Sequence, residues 1–418
     1  MNNRLEVLLN VGLRGATLIS KFALLFFLAK YAEPEDVGVY GLISVTIGYL
    51  LYFLGVDYYT YSTREMLSVD RGKWPEILRN QAVFHVLVYL VVLPFVSIVF
   101  ITEILSLKYL IPFYLLLISE HIAQELNRIL IAAGRVLTAS VVLFLRSGLW
   151  CYIAIGLIYF KVYEDNLIVT LSTWIVGSVA AAMIGIVALK DLSWKDIKGT
   201  SVDWSWIKKG LSVAGLFLIG TLCLRGIYTA DRYIVNYLSG VAMVGVYTFY
   251  MAVCSAYTSF IDAAVISFRY AKMVEAYRRG DITQFLILRK GMQNAIIGIG
   301  VLIGIAAAVM INPVLSILDK SSYTNQIQFF WIMLASSGIV ALSLVPHYSL
   351  YAFGKDRVLA VINVVGVLVF FTSTYTISIY YEGLTSVVFS ILITSIYFLL
   401  FKQLFFRLFL NTLNIEVR

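Results

Sequence analysis

Nearly the whole chain consists of continuous apolar runs about twenty residues long, divided by short polar connections. A run of ~20 apolar residues is what a helix needs to cross a bilayer. Continuous runs also favour helices over a membrane barrel, whose strands alternate lipid-facing and lumen-facing residues in pieces of about ten. Composition agrees, since 61% of the 418 residues are hydrophobic and 13% are charged, where soluble domains carry about 25% charged residues. So few charges cannot cover a soluble surface, and disordered, collagen-like and disulfide-scaffold classes are excluded too. The expected fold class is an all-α integral membrane protein. About twelve transmembrane helices are predicted, at 5–31, 37–61, 81–102, 109–131, 140–160, 167–189, 211–237, 244–267, 291–317, 327–351, 359–380 and 385–406.

Cys151, Cys223 and Cys254 lie far apart inside apolar runs, which argues against disulfides and against a zinc site, whose ligands cluster. Arg4, Glu6, Arg14 and Lys21 precede no small-residue cleavage site, so the N-terminus reads as a first span and not as a removable signal peptide. There is no P-loop, His-Glu-x-x-His, Cys-x-x-Cys or Gly-x-Ser-x-Gly motif. No catalytic residue, metal or cofactor is therefore expected, and the chain does not read as an enzyme. Transport driven by ATP would need a partner subunit.

Lysine and arginine set the orientation. Connections after even-numbered helices hold Arg64, Arg71, Lys73, Arg79, Arg135, Lys190, Lys195, Lys198, Lys208 and Lys209, then Arg269, Lys272, Arg278, Arg279, Arg289, Lys290, Lys355 and Arg357. Connections after odd-numbered helices hold only Lys30, Lys108, Lys161 and Lys320. The positive-inside rule then places both termini in the cytoplasm. Topology and attraction to anionic membrane lipid account for these charges, and nucleic acid is not an expected partner.

The chain repeats itself. Val37-Gly-Val-Tyr40 after the first helix returns as Val244-Gly-Val-Tyr247 after the seventh. Arg71-Gly72 and Ile77-Leu78-Arg79 return as Arg279-Gly280 and Ile287-Leu288-Arg289, and Ala133-Gly134-Arg135 returns as Phe353-Gly354-Lys355. Six helices per copy is an even number, so both copies share one orientation, and the implied pseudo-two-fold axis runs along the membrane normal. The expected organisation is an N-terminal six-helix lobe at 1–190, a cytoplasmic linker at 191–210 and a C-terminal six-helix lobe at 211–418. Lobes of this kind usually enclose a substrate cavity.

Charges at membrane depth carry the functional argument. The bases are Arg14 and Lys21 in helix 1, Arg128 in helix 4, Arg146 in helix 5, and Arg225 and Arg232 in helix 7; the acids are Asp57, Glu120, Glu125, Asp231 and Asp262. At ~3 kcal/mol per central charge these groups could not all face lipid. Arg14 and Lys21 are seven residues apart, as are Arg225 and Arg232 on the repeat-related helix, so each pair shares a face. His121, Glu125 and Arg128 share a face of helix 4, where Glu125 and Arg128 have the spacing of a local ion pair. Arg14, Lys21, Arg146 and Arg225 have no acid within one turn. They either pair with acids on other helices or line a cationic lumen, which suits phosphate. Asp57, Glu120, Glu125 and Asp262 are either ion-coupling sites or counter-ions to the arginines. His85 and His347 read as packing residues, Pro313 and Pro346 as hinges or structural kinks, and Tyr58, Tyr59, Tyr61, Tyr380 and Tyr381 as interfacial aromatics.

Four stretches bear a resemblance. They are Glu35-Asp36 before Val37-Gly-Val-Tyr40, Leu54-Gly55-Val56-Asp57 leading to Arg64-Glu65, Arg128 followed by Ala133-Gly134-Arg135, and Asp231-Arg232-Tyr233-Ile234 before the second Val-Gly-Val-Tyr. Together the chain resembles the Wzx-type O-antigen flippases of the multidrug/oligosaccharidyl-lipid/polysaccharide (MOP) exporter superfamily, over about residues 1–410. The resemblance implies translocation of an undecaprenyl-pyrophosphate-linked oligosaccharide from the inner to the outer leaflet of a bacterial inner membrane, by rocking of two six-helix lobes. It also implies partnership with the polymerase and chain-length machinery of the same pathway. In that reading Arg14, Lys21, Arg128, Arg146, Arg225 and Arg232 attract the pyrophosphate and sugar head group. Phe268-Arg269-Tyr270 stands where such proteins often carry a proline. The alternatives are a cation-coupled drug exporter of the same superfamily and a polytopic polysaccharide polymerase or ligase; the latter normally needs a large outer loop that is absent here.

Overall fold

The computed structural model describes residues 3–197, 200–381 and 383–412, which contain helices and no strand. Twelve long helices stand where the apolar runs predict them. They are α1 Asn3–Tyr31, α2 Pro34–Gly55, α3 Trp74–Val96, α4 Leu110–Ala132, α5 Val136–Tyr159 and α6 Asn166–Ala188. They continue with α7 Trp204–Ser239, α8 Val241–Arg278, α9 Ile282–Leu318, α10 Ile327–Ala352, α11 Asp356–Ser378 and α12 Leu384–Thr412. Among the described residues ten helices are long and apolar enough to span a membrane, or eleven when the bent pieces of α7 count as one span. α4 has 23 residues, enough to span, but carries Glu120, Glu125 and Arg128. The chain is a multi-pass membrane protein.

It divides into two compact units, Met1–Ala32 with Leu42–Leu222, and Glu33–Gly41 with Cys223–Arg418. The predicted linker, 191–210, falls inside the first unit. In the first unit α6 packs closely on its neighbours through small residues. A Cβ on Gly185 would stand 2.8 Å from the Leu126 side chain of α4, and one on Gly177 would stand 2.8 Å from the Leu145 carbonyl of α5. Gly177, Ala181 and Gly185 recur every four residues on the buried face of α6, the small-residue spacing that lets membrane helices approach. In the second unit the two Val-Gly-Val-Tyr copies meet, because residues 33–41 pack on the start of α8.

The repeat extends to turn geometry. Gly134 ends α4 and Gly354 ends α10, both left-handed with φ of 75° and 66°. In each, the next amide reaches back five residues, Arg135 to Leu130 at 2.9 Å and Lys355 to Leu350 at 3.0 Å. These are the bonds of a glycine-terminated helix end.

Three boundaries differ from expectation. Helix 2 does not continue to residue 61: it stops at Gly55, Val56 and Asp57 take left-handed φ of 50° and 49°, and a second helix starts at Tyr59. Left-handed backbone costs a non-glycine residue about 1–2 kcal/mol, so the packing around this break holds two unfavourable conformations. α8 and α9 extend through most of the polar stretch at 268–290, leaving a turn at Gly280 (φ 76°), with the Asp281 carboxylate capping α9 by accepting from the Gln284 amide at 2.9 Å. Helix 5 contains a π turn, Leu145–Leu149, and helix 8 another, Asp262–Ile266. Each inserts one extra residue into a ladder that hydropathy alone reads as uniform.

Candidate substrate and ion sites

Two of the arginines find acids in the first unit. Glu125 and Arg128 form the i,i+3 ion pair that their spacing on α4 predicts. Gln81 of α3 donates to the other Glu125 oxygen at 2.9 Å, and the Arg128 guanidinium lies over the Tyr59 ring, 3.8 Å from its centre. Asp57, at the break after α2, faces the same Arg128 and Glu125, with the Thr221 hydroxyl of α7 beside its carboxylate. The break thus places an acid against an arginine that is already paired.

Glu120 sits one turn earlier, on another face of α4. Its Oε1 accepts from the Trp174 indole at 2.8 Å and from the Ser178 hydroxyl at 2.7 Å, both on α6. Arg146 of α5 stands 3.5 Å from Oε2. The π turn presents Arg146 in this position, and the Trp150 indole takes the Arg146 carbonyl at 2.8 Å. Trp150 in turn stacks on Trp174, centroids 5.0 Å apart and rings within 6° of parallel. Arg146 therefore has an interhelical acid, one of the two roles its sequence context left open. Trp174 and Ser178 were not singled out from sequence, although their spacing of four on one helix face is the signal that could have found them.

In the second unit Asp231 is fully buried. It accepts from Arg232 at 3.0 Å and from the Tyr247 hydroxyl at 2.7 Å, while Arg232 also donates to the Tyr228 carbonyl at 2.8 Å. The Asp-Arg dipeptide is thus anchored to the Tyr that closes the second Val-Gly-Val-Tyr. Asp262 is exposed and opens the π turn of α8, near Tyr348 of α10. Arg14, Lys21 and Arg225 are all exposed. The ten predicted residues therefore form three buried or half-buried networks and four exposed positions.

No family model and no curated protein sequence matches the chain. Solved structures do. An inward-facing multidrug resistance MATE family transporter of the MOP superfamily matches with a TM-score of 0.79 at 13% identity, covering 96% of each chain. The outward-facing conformation of such a transporter matches at 0.61 and 14% identity, covering 98% of this chain and 96% of that one. A MOP superfamily transporter from Pyrococcus furiosus, described by a binding pocket of reverse polarity, matches at 0.60 and 14% identity with the same coverage. The chain has the MATE-type fold of the MOP superfamily. That fold accounts for two units of six long helices each, and these neighbours are transporters and not enzymes.

Proposed function

We propose that the protein is a transporter that moves an undecaprenyl-pyrophosphate-linked oligosaccharide across a bacterial inner membrane by alternating access, with both termini cytoplasmic. The observation that carries this reading is the state of Arg14 and Lys21. Both are exposed on α1, and among the described residues no carboxylate lies within 4 Å of either. Arg128, Arg146 and Arg232 are by contrast paired with acids. Exposed cations at membrane depth suit a diphosphate head group, which lysine and arginine bind through charge-assisted hydrogen bonds. The paired acids Glu120 and Glu125 serve as counter-ions, leaving Asp57 and Asp262 as the coupling candidates. The polymerase and chain-length machinery of the pathway are the proposed partners.

The second reading is cation-coupled drug export, favoured by the 0.79 match to a multidrug resistance transporter. One experiment separates them. A deletion strain is complemented with the wild type, Arg14→Ala, Lys21→Ala and Arg225→Ala at matched protein levels, and assayed for surface polysaccharide and drug susceptibility. The flippase reading expects polymer to be lost on deletion and to fall in the alanine variants, with drug susceptibility unchanged. Normal polymer in the deletion strain, with increased drug sensitivity, would establish the exporter instead.

A further inference from the structure

α3 and α4 do not close against each other along their length. Between them, bounded by the end of α6 and the turn that follows, lies a groove of about 690 Å³. That volume is in the range of about 300–1,000 Å³ typical of small-molecule sites. Its walls are apolar, with Val86 of α3, Ile122 and Leu126 of α4, and Ile186 and Val187 of α6.

The floor is polar. Gln81 and Glu125 are hydrogen-bonded across it, the Tyr89 hydroxyl and His121 Nδ1 lie 2.6 Å apart, and the rings of His85 and His121 are 4.7 Å apart. After these contacts three buried atoms have no hydrogen-bond partner among the described residues: Gln81 Oε1, His85 Nε2 and His121 Nε2. Their residues are only 3%, 7% and 1% exposed. Buried polar atoms are nearly always paired, so three on one floor point to a group that belongs there. Gln81 Oε1 can only accept. His121 Nε2 donates if Tyr89 gives its proton to Nδ1, and accepts if the bond runs the other way. A hydroxyl satisfies both cases, since it donates and accepts. At the mouth, Lys190 is exposed next to Trp194, whose indole is held by the Leu189 carbonyl at 2.9 Å.

We propose that this groove is a binding site for a phospholipid with a hydroxyl-bearing head group, of the phosphatidylglycerol type. Its hydrocarbon chain lies along the apolar walls, its head-group hydroxyl meets Gln81, His85 and His121, and its phosphate faces Lys190. The site goes beyond the transport reading and does not depend on it.

The test is native mass spectrometry of the full chain in detergent, offered phosphatidylglycerol, phosphatidylcholine and undecaprenyl phosphate in competition. The wild type is expected to retain one phosphatidylglycerol about tenfold over phosphatidylcholine, a preference of ~1.4 kcal/mol. Ala82→Trp on α3 and Val187→Trp on α6 fill the groove from opposite walls, and each is expected to cut retention about tenfold. His85→Phe keeps the walls and is expected to abolish the preference between the two phospholipids. Equal retention of the two by the wild type would overturn the proposal, as would unchanged retention in both tryptophan variants. Undecaprenyl phosphate held in place of phosphatidylglycerol would also overturn it. The wild-type competition decides the matter even if a variant fails to fold.

Discussion

Gly38 and Gly245 pack back to back: the Cβ that Gly245 lacks would stand 3.1 Å from the Gly38 amide nitrogen and would collide with the Pro34 carbonyl. The converse holds on the other side, where a Cβ on Gly38 would collide with the Val241 carbonyl. Each glycine is the second residue of its Val-Gly-Val-Tyr copy, so the repeated motif is also a repeated contact. Alanine normally stabilises a helix interior by about 1 kcal/mol over glycine, but overpacking against backbone costs about 1–3 kcal/mol. Gly38→Ala and Gly245→Ala are therefore expected to lower the unfolding temperature of the purified protein. Gly304→Ala, in α9 with nothing within 4 Å, is expected to leave it unchanged or raise it. Equal behaviour of all three variants in a thermal melt would rule out the close packing.

Glu120 serves Trp174, Ser178 and Arg146 at once. Truncating one partner of a buried ion pair costs about 3–5 kcal/mol, because the other charge is left uncompensated. Glu120→Ala is expected to lose that much stability in denaturant unfolding. Glu120→Gln keeps an acceptor for the indole and should lose less, and pairing Glu120→Met with Arg146→Met should recover part of the loss. Identical stabilities for the alanine and glutamine variants would mean that Glu120 holds no network.

Asp191 lies beyond the end of α6, where Arg135 donates to its carboxylate and Arg71 stands 3.4 Å away. A slight desolvation opposes them, but the Arg135 hydrogen bond and the two guanidinium charges hold the carboxyl below its ordinary value of 3.8. A depressed acid stabilises the fold above its unfolded value and loses that contribution as pH falls through the folded one. The melting difference between wild type and Asp191→Asn is accordingly expected to be positive at neutral pH, to shrink below about pH 3.8, and to be screened by salt. A difference that grew on acidification would contradict the assignment.

The lysine and arginine distribution fixes an expected sidedness. With the three native cysteines replaced by serine, a single cysteine at Ser193 should react with an impermeant maleimide only when the cytoplasmic face is open. One at Tyr163 should react from outside in intact cells. Labelling in the reverse sense would invert the topology.

The twelve helices were legible because each must present about twenty apolar residues to lipid, and hydropathy measures that demand directly. Residues 268–290 were read as a polar connection for the same reason. Lys272, Glu275 and Gln284 are poor lipid solutes but good helix formers, so α8 and α9 continue where hydropathy falls silent. The Glu125–Arg128 pair was visible as an i,i+3 spacing on one helix. The Glu120–Arg146 pair was not, because its partners lie on different helices and meet only through the packing of α4, α5 and α6. The break at Val56 and Asp57 carries no glycine or proline at its left-handed positions to announce it.

The π turn at Leu145–Leu149 adds one residue to a helix that otherwise advances 100° at each step. Every side chain from Trp150 onward is therefore rotated by one step relative to an unbroken α-helix. Deleting any one residue in that turn would restore regular hydrogen bonding and at the same time swing Trp150 away from Trp174. A relative with a regular fifth helix would align with this chain only across a one-residue gap within a membrane span, where alignments are seldom allowed to open one. Comparisons that ignore that gap would assign the role of Trp150 to the wrong residue.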